Sequence, residues 1–435
     1  MTEPVPGVAE RTLTALGRRG LERSEVYLKE GRHRTFEIGL GGHDVEIGEE
    51  VGWAVRAGDR HCSFFAAGTG RPSPDEAWPE PDGYPLRLPE AGPPPGWREP
   101  SELDSPLLAE REGLSLLEEI GKALEEELPG ARLVSARLGD GSSRSWLLSS
   151  TGVRASWRQR VASLRVEARL RDVGTELELA ERDGRRFHPP TVARALADRL
   201  VVRDRGGQGD RDRAEMLLAP AVGSRLLRLL APYWVGPEAE QRLGDLADQQ
   251  GRVGSPAFTL VDDGRLPGGL LSAPVDGEGV PTREVVLVDE GRPRQPLLAW
   301  WQGRGDRAVV SGCSLRPSWR DLPSPGPTHL YLRPHRPQPT ASMVRGVSRG
   351  YYLLDSPQPG CLDLDNAQFS LPVYGFRLAS GRAVDPVAGV ELRGTVPAFL
   401  RGIRAVGRDV SFFPGDGMIG SPSVAVSGLE LVPRS

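Results

Sequence analysis

Apolar residues recur at helical spacing in four stretches of this chain and at strand spacing through most of the remainder. Residues 7–19 predict a first helix. Val8 or Ala9, Leu13 and Leu16 share its apolar face, and Gly20 suits the position after its last turn. A second helix is predicted from Asp104 or Ser105, with Pro106 at its first helical position. Leu107, Leu114, Leu117, Ile120, Leu124 and Leu128 form its apolar face, and Pro129-Gly130 stops it. A third helix covers residues 190–202, with Ala193, Leu196 and Leu200 inward. The fourth opens at Pro220 and runs to Ala231 through Leu226, Leu227 and Leu230.

Between these helices the period is two. Residues 25–29, 35–40, 43–47, 52–57 and 61–66 predict strands of an antiparallel meander, with Gly41-Gly42 and Gly58-Asp59 as turns. Further strands are predicted over 133–138, 145–148, 153–170, 176–180 and 214–218. Beyond Gly251 short β runs alternate with Gly, Pro and Asp. Two proline-rich stretches interrupt the pattern. One spans about 69–106 and includes Pro93-Pro94-Pro95, and reads as an extended surface connection; the other spans 316–339. The fold class is therefore α+β with two domains. Residues 1–208 form an N-terminal antiparallel sheet with packed helices, carrying the proline-rich insert. Residues 209–435 form a mostly β C-terminal domain, with the boundary near 206–212. The last five residues, 431–435, resemble a protease-site scar and are left out of this pattern.

Composition narrows the function classes. The 435 residues carry a net charge of −4, with basic residues dispersed, so no nucleic-acid footprint is expected. No apolar run approaches the length of a membrane span, and the first residues lack a signal-peptide layout. Three widely separated cysteines, Cys62, Cys313 and Cys361, fit reduced thiols in the cytoplasm.

Few motifs carry chemistry. Gly415-x-Gly417-x-x-Gly420 spells a dinucleotide fingerprint, but a strand is predicted after it where a helix is required, so it reads as a turn. The six histidines form no helical ligand pair, and Cys313 has no base nearby in sequence. Arg304-Gly305-Asp306 is a coincidental tripeptide. Asp276 and Glu278 have two open readings: lining a chamber that holds a peptide amine or an arginine, or capping a glycine turn. Tyr351 and Tyr352 open a predicted strand, and either contact a peptide backbone or pack a core or interface.

Several segments, in order, resemble the TldD/TldE (PmbA) family. They are Ser24-Glu25-Val26-Tyr27, residues 50–56 ending in Val55-Arg56, Asp276-Gly277-Glu278-Gly279, Thr328-His329-Leu330-Tyr331, Phe369-Ser370 with Gly375-Phe376, residues 400–409 and Gly420-Ser421-Pro422. The resemblance implies a two-domain fold that dimerises around an interior chamber. In the TldD-type subunit a helix bearing His-Glu-x-x-x-His and a C-terminal cysteine hold zinc. Here the corresponding helix, residues 220–231, has no His, Glu or Asp, and residues 415–422 have no Cys. The resemblance therefore points to the metal-free, TldE-type side, with no catalytic or metal-ligating residue in this chain. It implies a TldD-like zinc peptidase as partner and unfolded or leader peptides as substrates. Two alternatives stay open: a homodimeric peptide-binding or scaffold protein without protease activity, and an independent enzyme using Cys313 or the Asp276/Glu278 pair.

Overall fold

The computed structural model describes residues 5–39, 41–92, 96–97, 99–303 and 312–434. Pro93-Pro94-Pro95 and Arg304-Gly305-Asp306 lie outside the described residues. The first part of the chain runs α1 (Val5–Arg18), β1 (Arg23–Gly39), β2 (Gly42–Gly58), β3 (Ser63–Thr69), α2 (Glu110–Glu127), β4 (Ala131–Ser149), β5 (Arg154–Leu170), β6 (Val173–Glu181) and α3 (Pro189–Arg205). Its six strands form one sheet in the order β3-β2-β1-β4-β5-β6, antiparallel throughout. Leu117, Ile120 and Leu124 of α2 and Ala193, Leu196 and Leu200 of α3 seal one side of that sheet over Leu138, Leu164 and Val166. Ala9, Leu13 and Leu16 of α1 pack with Val26, Val55 and Trp146.

The meander is present, but as three strands where five were expected. Residues 30–34 and 48–51 continue β1 and β2, because their glycines make room for partners across the ladder. Gly48 pairs with His33 and Gly31 with Glu50, and a Cβ on Gly48 would lie 2.2 Å from the His33 ring. The predicted start of the second helix also moves. Residues 101–104 form a 3₁₀ turn, and the carbonyls of Ser105 and Pro106 accept from the buried Arg160 guanidinium. The helix then begins at Glu110, with the Glu112 carboxylate accepting from the Ala109 N–H at 2.6 Å.

The proline-rich segment between β3 and α2 wraps this sheet. Leu86 and Leu88 are buried, Arg23 donates to the Leu86 carbonyl at 3.0 Å, and Trp78 packs edge-on against Trp53.

The rest of the chain runs β7 (Gly207–Gln208), β8 (Glu215–Leu218), α4 (Pro220–Leu229), α5 (Glu238–Asp245), β9 (Leu260–Asp263), β10 (Glu284–Asp289), β11 (Arg292–Pro293), β12 (Ser314–Leu315), β13 (Ser324–Pro325), β14 (His329–Leu332), α6 (Thr340–Gly346), β15 (Arg349–Asp355), β16 (Cys361–Asp363), β17 (Gln368–Ala379), β18 (Arg382–Thr395), α7 (Val396–Gly402), β19 (Ile403–Val406), β20 (Ser411–Pro414), β21 (Met418–Ser421), β22 (Val424–Val426) and β23 (Glu430–Pro433). Two main sheets result: β19-β22-β8-β15-β17-β18-β23, flanked by β7 and β16, and β11-β10-β9-β14-β21-β20. They enclose a core containing Trp234, Phe258, Leu330, Leu353 and Phe399. Of the C-terminal residues set aside from the sequence pattern, residues 431–433 belong to the fold. β23 pairs with residues 390–393 of β18, and Leu431 is fully buried.

Candidate functional site

Helix α4 has two faces with different company. Val222, Leu226 and Leu227 enter the core. Ala221, Ser224, Arg225, Arg228 and Leu229, at spacings of three and four, line a cavity of about 400 Å³. The opposing lining comes from Glu176, Leu177 and Glu178 of β6, Arg199 of α3, Leu371 of β17, Phe413 and Pro414 of β20, and Ile419 of β21. The helix sits close to β21 because residue 223 is glycine; a Cβ there would lie 2.2 Å from the Ser421 Oγ.

Asp355, at the end of β15, organises the charges. It is 4% exposed. Its Oδ2 accepts from Arg199 Nε at 3.0 Å, and its Oδ1 from Arg225 Nε at 2.9 Å and the Ser356 N–H at 2.7 Å. Arg228 has a looser partner, Asp416, at 3.5 Å. Glu176 and Glu178 both face Arg165, at 2.9 and 3.8 Å. Among the described residues no three His, Cys, Asp or Glu side chains are arranged to hold a metal ion.

Asp276 and Glu278 lie elsewhere, on a turn that meets the N-terminal sheet. Asp276 caps the turn: its Oδ1 accepts from the Glu278 and Val280 N–H groups at 2.9 and 3.0 Å, and its Oδ2 from the Ser314 N–H at 3.0 Å. Burial, then the nearby Glu278, pushes the Asp276 carboxyl up to about 7, against these three donors. Asp276 borders a second cleft of about 520 Å³ with Tyr27, Trp157 and Arg316. Glu278 has no exposed surface. Its Oε2 accepts from the Trp300 N–H at 2.7 Å and the Ser314 hydroxyl at 2.6 Å, and its Oε1 faces Arg56 Nη1 at 3.5 Å.

The arginine that Glu278 holds is thus the chain's own, from β2. Arg56 also forks onto Glu25 at 3.1 and 2.6 Å, and Arg316 reaches Glu25 from the other side. Burial alone would raise the Glu25 carboxyl, but Arg56 and Arg316 hold it below its ordinary range.

Tyr351 and Tyr352 stand on β15 and point to opposite faces of its sheet. Tyr351 is 5% exposed and donates to Asp212 Oδ2 at 3.1 Å; Tyr352 packs with Leu217, Met343 and Ala425. In the Gly415-x-Gly417-x-x-Gly420 motif, Gly415 and Gly417 lie in the turn of the β20–β21 hairpin, with Pro414 opposite Met418, and Gly420 lies in β21 opposite Phe412. Cys313 is buried, and its thiol donates to the Leu298 carbonyl at 3.6 Å. His329 accepts from the Leu271 N–H through Nε2 and contacts the Asp263 carbonyl through Nδ1.

Sequence reasoning passed over Arg199, Arg225, Arg228 and Asp355. The available signal was a pair of arginines three apart on an otherwise apolar helix.

The PmbA/TldA metallopeptidase C-terminal domain family matches residues 211–432, and the chain belongs to this family, the TldD/TldE (PmbA) proteins. Among sequence relatives, a metalloprotease TldD homologue of Buchnera aphidicola is 26% identical over 170 residues, covering 39% of this chain and 35% of that protein. A TldD homologue of Haemophilus influenzae is 26% identical over 178 residues, covering 40% and 36%. The matched stretches therefore span about a third of these relatives. Among solved structures, TldE from Thermococcus kodakarensis superposes with a TM-score of 0.82 at 17% identity, over 98% of this chain and all of that one. A Thermotoga maritima protein described as a candidate modulator of a DNA gyrase gives 0.83, also at 17% identity, over 99% of this chain and 100% of the other. These structural likenesses establish the fold.

Proposed function

We propose that this chain is the non-catalytic, TldE-type subunit of a heteromeric TldD/TldE metallopeptidase that acts on unfolded or leader peptides. The observation that carries this reading is the cavity-facing side of α4. It presents Ala221, Ser224, Arg225, Arg228 and Leu229. A tetrahedral zinc site takes three protein ligands from imidazole, thiolate or carboxylate, and guanidinium groups are permanent cations that cannot ligate. The donor set on this helix does not suit zinc. A TldD-like partner supplies the zinc and the activated water. This chain completes the chamber around that site as a heterodimer in the cytoplasm. Both β6 and β20 are sheet edges and both border the cavity, the kind of element to which an extended peptide adds.

The test is co-expression with a protein carrying the His-Glu-x-x-x-His helix. The two are expected to co-elute and to cleave an unstructured peptide faster than the zinc subunit alone. A pair no more active than that subunit by itself would overturn the proposal.

A further inference from the structure

The cavity beneath α4 has its carboxylates already matched and its arginines only partly used. Asp355 is held by Arg199 and Arg225, Glu176 and Glu178 share Arg165, and Asp416 faces Arg228. Arg225 bonds to Asp355 through Nε. Among the described residues its two Nη groups have no hydrogen-bond partner, and Arg228 makes only the 3.5 Å ion pair. Both side chains are about half exposed, at 43% and 49%. Residues three apart on a helix are neighbours, so both arginines leave the same face of α4, and both line the cavity. Asp355, being buried, fixes the direction of Arg225. Leu177, Leu371, Phe413 and Ile419 supply apolar wall beside them.

A planar fork of N–H donors next to an apolar wall suits a carboxylate attached to an apolar residue. We infer that Arg225 and Arg228 bind a peptide carboxylate in this cavity, with the adjoining apolar side chain against Phe413 and Ile419. This deepens the proposed function, since it names the group by which the chamber wall holds its peptide. The carboxylate comes either from the peptide C-terminus or from an acidic side chain.

The experiment measures fluorescence anisotropy on the full chain alone, without any partner subunit. Three N-terminally fluorescein-labelled peptides are compared: one ending in Ala-Leu with a free carboxylate, its C-terminal amide, and that amide with one glutamate before the last leucine. The free acid is expected to bind at least about tenfold more tightly than the plain amide, with the preference shrinking as salt rises. A glutamate amide that matches the free acid shows that the site takes either source, and one that alone exceeds the plain amide assigns the carboxylate to a side chain. A glutamate amide that matches the plain amide assigns it to the C-terminus. Arg228→Gln, whose partner Asp416 is exposed, should abolish the preference while melting as the parent does, and Arg228→Lys should retain part of it. Equal binding of all three peptides overturns the inference, as does an Arg228→Gln chain that keeps the full preference. The partner is absent, so a failure here leaves the co-elution result standing, and the converse also holds.

Discussion

At the scale of single residues, a buried ion cluster lies in the joint between the early and late parts of the chain. Glu25 is 1% exposed and pairs with Arg56 and Arg316, themselves almost fully covered. Removing one member of a buried ion cluster leaves an uncompensated charge in a poorly polar setting. Glu25→Gln is therefore expected to lose about 3–5 kcal/mol in urea unfolding. Asp385→Asn, which breaks an exposed pair with Arg377, should leave the midpoint unchanged.

Two buried groups on neighbouring strands titrate with opposite consequences. Burial pushes Asp262 up to about 7 from 3.8, and pushes His329 down to about 4 from 6.5. Asp262 contributes stability that is complete below its unfolded value and is lost as pH rises through 7. His329 contributes stability that is complete above 6.5 and is lost as pH falls through 4. Asp262→Asn should accordingly gain on the parent as pH rises from 4 to 7, by about 1.4 kcal/mol per unit at most. His329→Gln should gain on it as pH falls from 6.5 to 4. Thermal melts across that range check both, and parallel curves for parent and variants would refute the assignment.

At the scale of elements, α4 shows how much the sequence carried. Pro220 at the start and three leucines on one side gave the helix and its buried face. The other face was legible as composition only, because the partners that give Arg225 and Arg228 meaning, Asp355 of β15 and Asp416 of the β20–β21 turn, are distant in sequence. The same limit explains the long strands. Gly31 and Gly48 look like breaks to a local reading, yet they are seats for side chains one strand away. Asp276 and Glu278 were legible as a capped glycine turn; that Glu278 would meet Arg56 depended on a contact 222 residues apart. A close fit also carries a cost when altered. Gly223→Ala would drive a methyl into Ser421 and is expected to lose about 1–3 kcal/mol, with α4 displaced from β21. Urea midpoints compared with Gly244→Ala, where nothing lies within 4 Å, would isolate the clash.

At the scale of the whole molecule, ion pairs among the described residues cross between the early and late parts of the chain in two places. One is the Glu25–Arg56–Glu278–Arg316 group, and the other is Arg199 on Asp355. No described helix is long and apolar enough to cross a membrane. With both joints buried, calorimetry of the parent should show one cooperative transition. Combining Glu25→Gln with Arg199→Gln should separate it into two. A single sharp transition in the double variant would mean that apolar contact alone couples the parts.

The indole of Trp319 rests so closely on Gly52 of β2 that a methyl there would overlap it, and the Arg320 guanidinium lies 3.8 Å from the ring centre. The ring is 3% exposed and belongs to the same cluster as Tyr27 and Trp157. It is therefore an intrinsic optical gauge, dry while the parts stay closed. The emission that disappears in Trp319→Phe would shift to longer wavelength on any opening of this seam, so loosening of the joint during unfolding can be followed without any attached dye.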